Sequence, residues 1–195
     1  MPERFVLGRW FSIKALKEIG LKKALKFLLL TICSTFFRIL IFPNLRVIFL
    51  RLLGARIGKD TVIHDIQFSN LYRRGLPGLH IGNSCFIGNG VHFDLADEIT
   101  LSDNVTISDR VLVLTHLKVG YSDHPLQKYF PAFSSPVIFK DGCFIGANST
   151  ILAGVVIGSQ AFVAAGSVVK ENVPPGVLVA GVPARVIKKI AEDIV

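Results

Sequence analysis

With 195 residues the chain can bury a sizeable core and reads most simply as one domain carrying an N-terminal extension. Its 22 Lys and Arg against 14 Asp and Glu leave +8, but the excess is confined: residues 1–56 hold 11 basic residues against two Glu, a balance of +9, and residues 57–195 hold 11 against 12, a balance of −1. A neutral body excludes a nucleic-acid surface spread over the domain, and a basic, apolar extension points toward an anionic membrane surface.

In residues 1–56, Lys14, Glu18, Lys22 and Lys26 recur at four-residue steps while Ile13, Leu16, Ala24 and Leu28 fall on the opposite arc, which predicts an amphipathic helix. Phe27 to Phe37 follows without a charge, then Arg38, an apolar run to Pro43, and a segment to Leu53 that carries Arg46 and Arg51. A spanning helix needs about 20 apolar residues, so this interrupted pattern predicts a helix in the membrane interface or a re-entrant hairpin. No small-residue cleavage site follows the apolar run, so it does not read as a signal peptide. The other reading is that these helices pack on the rest of the domain or on a neighbouring subunit.

From Ile57 the chain falls into units of six. Ile57 and Ile63 open the first two; Ser69 to Leu79, with Tyr72, Arg73, Arg74 and Pro77, is an excursion at a corner. Units resume at Ile81, Ile87 and Phe93, slip from Asp94 to Thr100, and continue at Leu101, Ile107 and Val113. A long excursion runs from Leu114 to Val137. Then come five clean units, opened by Phe139, Ile145, Ile151, Ile157 and Val163, with Cys143, Ser149, Val155, Ala161 and Ser167 at the fourth position after each opener.

A fixed short period marks a solenoid, in which stacked neighbours make the core that no unit makes alone. Each unit is one short strand and one turn, so three units make one triangular turn, and turns stack at about 4.8 Å. The regular units fill roughly four turns, a prism on the order of 20 Å tall. The fold class is mainly β: a parallel β-helix over 57–195, with a helical extension before it and a short C-terminal helix from Ala184 to Ile194. The cysteines, Cys33, Cys85 and Cys143, show no paired or metal-binding spacing, which fits a reducing, cytoplasmic compartment with the extension peripheral on the inner face of the membrane. Cys85 and Cys143 take wall-filling positions.

His116 directly follows a coil strand and opens the longest excursion, and excursions of this length in an economical coil are usually functional. Of the other histidines, His64 and His92 lie on coil faces and His80 precedes a repeat; His124, in Ser-Asp-His-Pro, either contacts a substrate or caps a turn.

The sixes between Ile57 and Ile190, with the tail from Val173 to Ile187 that contains Pro174-Pro175-Gly176 and Ala180-Gly181-Val182-Pro183-Ala184-Arg185, resemble the hexapeptide-repeat, left-handed β-helix acyltransferase superfamily, in its galactoside, maltose, antibiotic and polysaccharide O-acetyltransferase branch. The resemblance implies the left hand of the coil, a homotrimer, and acetyl-CoA lying in the groove between two subunits, with no metal. It implies O-acetylation of a sugar hydroxyl, on a cell-surface polysaccharide or lipid-linked glycan precursor. Residue by residue, His116 matches the family's histidine base and Asp94 an aspartate that binds acceptor hydroxyls, although a turn-forming role suits Asp94 as well. Asn89 is a further acceptor residue, at a spacing that departs from the family by one. Phe144 stands where some relatives carry tryptophan beside the thiol. Gly146, Ala147, Ala164, Ala165 and Gly166 supply the small residues that let backbone reach the pantetheine arm. Lys170, Arg185 and Lys188 are placed for the nucleotide phosphates, with Lys170 standing where many relatives have threonine. Two other functions share the coil: a metal hydratase of the γ-carbonic-anhydrase type, using His80, His92 and His116 across a subunit boundary, and a non-catalytic trimeric scaffold.

Overall fold

The computed structural model describes residues 20–190. From Arg56 onward the chain winds as a left-handed parallel β-helix of about five turns, its three faces built by strands that pair in parallel one turn apart. The first face stacks Arg56–Ile57, Leu79–Ile81, Ile99–Leu101, Val137–Phe139 and Val156–Ile157. The second stacks Val62–Ile63, Phe86–Ile87, Thr106–Ile107, Phe144–Ile145, Phe162–Val163 and Val177–Gly181. The third stacks Ile66–Ser69, Val91–Asp94, Leu112–Val113, Thr150–Ile151 and Val168–Val169.

The openers of the sixes point inward. On the second face Ile63, Ile87, Ile107, Ile145 and Val163 form one column of fully buried side chains, and each such aliphatic contributes about 1.5–3 kcal/mol relative to exposure. The fourth-position residues fill the corners. Ser149 and Ser167 are buried there, and both hydroxyls donate to the Ala164 carbonyl, at 3.0 and 2.7 Å. Burial pushes the Cys143 thiol up to about 12 and raises that of Cys85, so both cysteines are inert wall. At the corner between the first two faces, Asp60, Ser84, Asn104, Gly142 and Gln160 all hold a positive φ. The sharp corner imposes that conformation even on Gln160.

The coil has one turn more than the regular sixes predict. Ile99 pairs with both Leu79 and Val137 although all three stand outside the clean units, and in the tail Val173 bridges Ile157 while Val177–Gly181 pairs with Phe162–Val163. The expected C-terminal helix is also corrected: Ala184–Lys189 is a strand, antiparallel to Val177–Gly181. The open edge of the second face offers unpaired backbone groups, and β-branched Val186 and Ile187 suit a strand that covers it.

Two helices close the other end. Helix α1 (Leu21–Ile39) and helix α2 (Pro43–Leu52), which starts on its proline, meet the first coil turn. Phe37, Val47 and Leu50 join the core, with the Phe37 ring 6.2 Å from Phe49 and 5.9 Å from Phe68. Buried Arg46 donates to the Leu40 carbonyl at 2.6 Å and sits over the Phe37 ring. The packing expected as the second reading of the extension is therefore present on this inner side. The outer side stays apolar and exposed, through Leu25, Leu28, Leu29 and Ile32 on α1 and Leu45, Ile48 and Leu52 on α2. Leu28 is thus exposed, like Lys22 and Lys26, so the apolar and charged arcs are not separated there; Ile13, Lys14, Leu16 and Glu18 lie outside the described residues. Among those residues no helix is long and apolar enough to cross a membrane.

Candidate functional site

The two irregularities of the coil meet in space. Asp94 ends the third-face strand Val91–Asp94, and one turn on, Val113 leads through Leu114 and Thr115 to His116. His116–Leu117 pairs antiparallel with Phe133–Ser134, so the long excursion leaves and re-enters the coil as a two-stranded ribbon. Asp94 is fully buried, and its carboxylate accepts from Asn70 Nδ2 at 2.6 Å, from the Thr115 amide at 3.0 Å and from His116 Nδ1. The Thr115 hydroxyl donates to the Asp94 carbonyl at 2.6 Å and accepts from the Asp97 amide at 2.9 Å, tying the slip to the root of the excursion.

Burial alone would raise the Asp94 carboxyl; the hydrogen bonds from Asn70, His116 and Thr115 outweigh it and hold the group below its ordinary value. An ionised carboxylate only accepts, so Nδ1 carries the imidazole proton and Nε2 keeps its lone pair. The imidazole, a quarter exposed, is fixed by a charge that is itself fully enclosed. Such a pair can take a proton at Nε2 and stabilise the resulting imidazolium.

This corrects the role expected of Asp94. Its oxygens are spent inside the protein, so it orients the histidine rather than holding an acceptor hydroxyl. Asn70 and Thr115 complete that arrangement and were invisible as site residues, since nothing in the sequence ties Asn70, in an excursion, to a carboxylate 24 positions on. His92 is close by: its Nε2 lies 2.9 Å from Ser69 Oγ, and burial lowers its pKa against the opposing pull of Asp94.

The remaining expected residues divide by place. Asn89 sits at the corner that precedes the third face, bonded through its backbone to Asp109 and Arg110, so the structure does not bring it to His116. His124 caps a turn, its Nδ1 accepting from the Leu126 amide at 3.2 Å. Gly146, Ala147, Ala164 and Ala165 do come together, stacked one turn apart at the corner between the second and third faces. A Cβ on Gly146 would lie 2.4 Å from the Ala165 nitrogen, so only glycine lets the turns close there. Gly166 stands open beside them. Phe144 stacks on Phe162, 4.5 Å between ring centres. Lys170 lies 3.3 Å from Glu171, which also reaches within 4.0 Å of Arg185, so an acid sits between two of the expected phosphate ligands. Lys188 is on the neighbouring antiparallel strand, opposite Leu178. The small-residue corner and His116 occupy opposite ends of the third face, because Gly146 precedes Thr150–Ile151 and His116 follows its neighbour Leu112–Val113. As for a metal centre, among the described residues no three His, Cys, Asp or Glu side chains converge, and His80 Nε2 is bonded to the Pro77 carbonyl at 3.0 Å.

Comparison with known proteins bears on the coil. Residues 136–171 match the family described as hexapeptide repeat of succinyl-transferase. A stretch of 62 residues is 53% identical to the 2,3,4,5-tetrahydropyridine-2,6-dicarboxylate N-acetyltransferase of Staphylococcus aureus strain JH9, covering 32% of this chain and 26% of the relative. The chain thus spans about a quarter of the length of the curated relatives it matches. Among solved structures, a galactoside acetyltransferase in complex with coenzyme A superposes with a TM-score of 0.68 at 26% identity, over 91% of this chain and 83% of that one. A maltose O-acetyltransferase from Clostridium difficile gives 0.72 at 25%, over 88% and 89%. A hexapeptide-repeat acetyltransferase from Vibrio cholerae gives 0.76 at 24%, over 88% and 94%, a likeness of fold. Repeat and coil together define a hexapeptide-repeat, left-handed β-helix protein. The proteins it is similar to, in sequence over part of the chain or in fold over most of it, are named acetyltransferases.

Proposed function

We propose that the protein is an acetyl-CoA-dependent acetyltransferase that acylates a sugar hydroxyl, with His116 as general base. The observation that carries this reading is the enclosed, ionised Asp94 bonded to His116 Nδ1. A hydroxyl is a poor nucleophile at neutral pH, and the lone pair on Nε2 accepts its proton as the oxygen attacks the thioester carbonyl. The new C–O bond forms, the C–S bond breaks, and the departing sulfur takes the proton back from the imidazolium. Coenzyme A in the related galactoside acetyltransferase supports the donor.

The separation of the small-residue corner from His116 within one chain supports a closed homotrimer, in which the corner of one copy, with Phe144, Gly146 and Ala164, flanks the histidine of the next. Lys170, Arg185 and Lys188 then meet the nucleotide phosphates. The exposed apolar side of α1 and α2, on an extension of charge +9, supports residence on the cytoplasmic face of an anionic membrane and an acceptor displayed there.

The test is thiol release from acetyl-CoA over a panel of sugars and glycolipids. His116→Ala is expected to lower turnover by roughly two to four orders of magnitude while leaving the assembly intact. Undiminished turnover in that variant overturns the mechanism.

A further inference from the structure

Beside the root of the excursion lies a cleft of about 430 Å³, within the range of small-molecule sites. Its walls come from three separate parts of the chain: Lys23 from α1, Tyr72 and Arg73 from the first excursion, and Leu117, Lys118 and Ser134 from the ribbon that begins at His116. Among the described residues that line it, three are cations and none is an acid.

The two neighbouring arginines behave differently. Arg74 turns to Asp97 and Glu98, at 3.7 and 3.6 Å. Arg73 instead places Nη2 3.5 Å from Ser134 Oγ, and Ser134 is the cross-strand partner of His116. Directly opposed residues of an antiparallel pair present their side chains on the same face, so this guanidinium lies on the imidazole's side of the ribbon. Lys26 Nζ reaches the Arg73 carbonyl at 3.5 Å, which holds α1 against the excursion with Lys23 at the cleft.

We propose that this cleft binds a phosphate or pyrophosphate group carried by the acceptor, so that the substrate class is a sugar phosphate with its hydroxyl at His116 and its anion between Arg73 and Lys23. The inference rests on the acetyltransferase reading above and narrows its acceptor. Arg73 and Lys23 approach the cleft from two different segments of the chain, and a guanidinium fork fits phosphate oxygens in pairs. The same group occurs on a polyisoprenyl-linked sugar and on a nucleotide sugar. Leu25, Leu28 and Leu29, exposed on α1 just beyond Lys23, make the lipid-linked source the first to test.

The experiment measures binding of inorganic pyrophosphate to the full chain by calorimetry, flotation with phosphatidylcholine vesicles with and without polyisoprenyl phosphate, and binding of a uridine diphosphate sugar. The unmodified chain is expected to bind pyrophosphate, and Arg73→Gln and Lys23→Gln each to weaken it about tenfold or more. Both side chains are exposed, and unchanged melting curves confirm that the variants fold. Capture by the polyisoprenyl phosphate vesicles alone assigns the lipid source; binding of the nucleotide sugar with vesicles ignored assigns the nucleotide. Pyrophosphate binding that neither substitution alters, or no binding of any of the three probes, overturns the proposal. Acetyl-CoA binding is followed in parallel: its absence beside intact pyrophosphate binding strikes the acetyltransferase reading and leaves the cleft standing.

Discussion

The run from Phe139 to Val169 and the breaks at Asp94 and His116 are built on the same coil for opposite ends. In the regular run every opener points inward and is fully buried, and the strands at Phe139, Ile145, Ile151 and Val163 pair with both the turn before and the turn after. At the breaks the chain gives up that repetition, and in exchange a carboxylate is enclosed and an imidazole is held at the surface. Stacking supplies rigidity along the whole prism, and departures from the repeat are where side chains are freed to do chemistry.

That contrast is broken most severely at the dyad. Asp94→Asn keeps the shape but replaces a pure acceptor with an amide that can also donate, so the imidazole loses the charge that fixes its tautomer. Turnover is expected to fall by about two orders of magnitude or more, while stability falls only by what the lost bonds to the carboxylate contribute, about 1–3 kcal/mol. Steady-state thiol release beside a thermal melt separates the two effects. The regular run responds in the reverse sense. Phe139→Ala empties a fully buried position and is expected to cost about 3–5 kcal/mol in chemical denaturation. Gly146→Val drives a side chain into the Ala165 nitrogen, which a Cβ would already approach to 2.4 Å, and is expected to destabilise by a similar amount. A silent Phe139→Ala would show that the column does not carry the coil.

Acid sharpens the comparison, because both titrating groups with lowered values near the site weaken the fold in the same direction. Asp94 is held below its ordinary value. Its contribution is whole above the usual carboxylate range, near pH 4, and disappears as the pH drops through the depressed folded value. His92 is lowered by burial, so the unfolded chain takes up its proton first and stability declines below about pH 6.5. Melting temperature against pH is expected to fall in two stages, with the upper one flattened in His92→Gln. An upper stage that persists unchanged in that variant assigns the decline to another group.

How much of this the sequence disclosed follows from how local each feature is. The inward column was legible because a period of six is local and repeated, and so was the position of His116 at the start of the longest excursion. The partnership of Asp94 with His116 was not, since it depends on stacking two irregular turns 22 positions apart. Where a helix is expected from Ala184 to Ile194, the chain forms a strand over Ala184–Lys189. Its conformation is set by the edge of a sheet whose other members lie far back in the chain. The cleft at Arg73 required three segments to be placed at once.

The smallest expected effect lies in the corners of the regular run. A cysteine on the coil invites the reading of a nucleophile, yet Cys143 is buried at the fourth position of its unit with its thiol pushed up to about 12, and Cys85 is buried with a raised value, its Sγ–H donating to the Ser102 carbonyl at 3.1 Å. Only the thiolate attacks an alkylating reagent, so both are expected to stay unmodified by iodoacetamide at pH 8 in the folded protein and to label fully in denaturant, as read by mass spectrometry of the two peptides. Cys143→Ala keeps a small apolar corner residue, as Ala161 does one turn on. It is therefore expected to leave turnover unchanged and to shift stability by less than about 1.5 kcal/mol. Rapid labelling of Cys143 in the native state would mean that the regular run opens far more readily than a stacked coil should, and the division of labour between run and breaks would have to be redrawn.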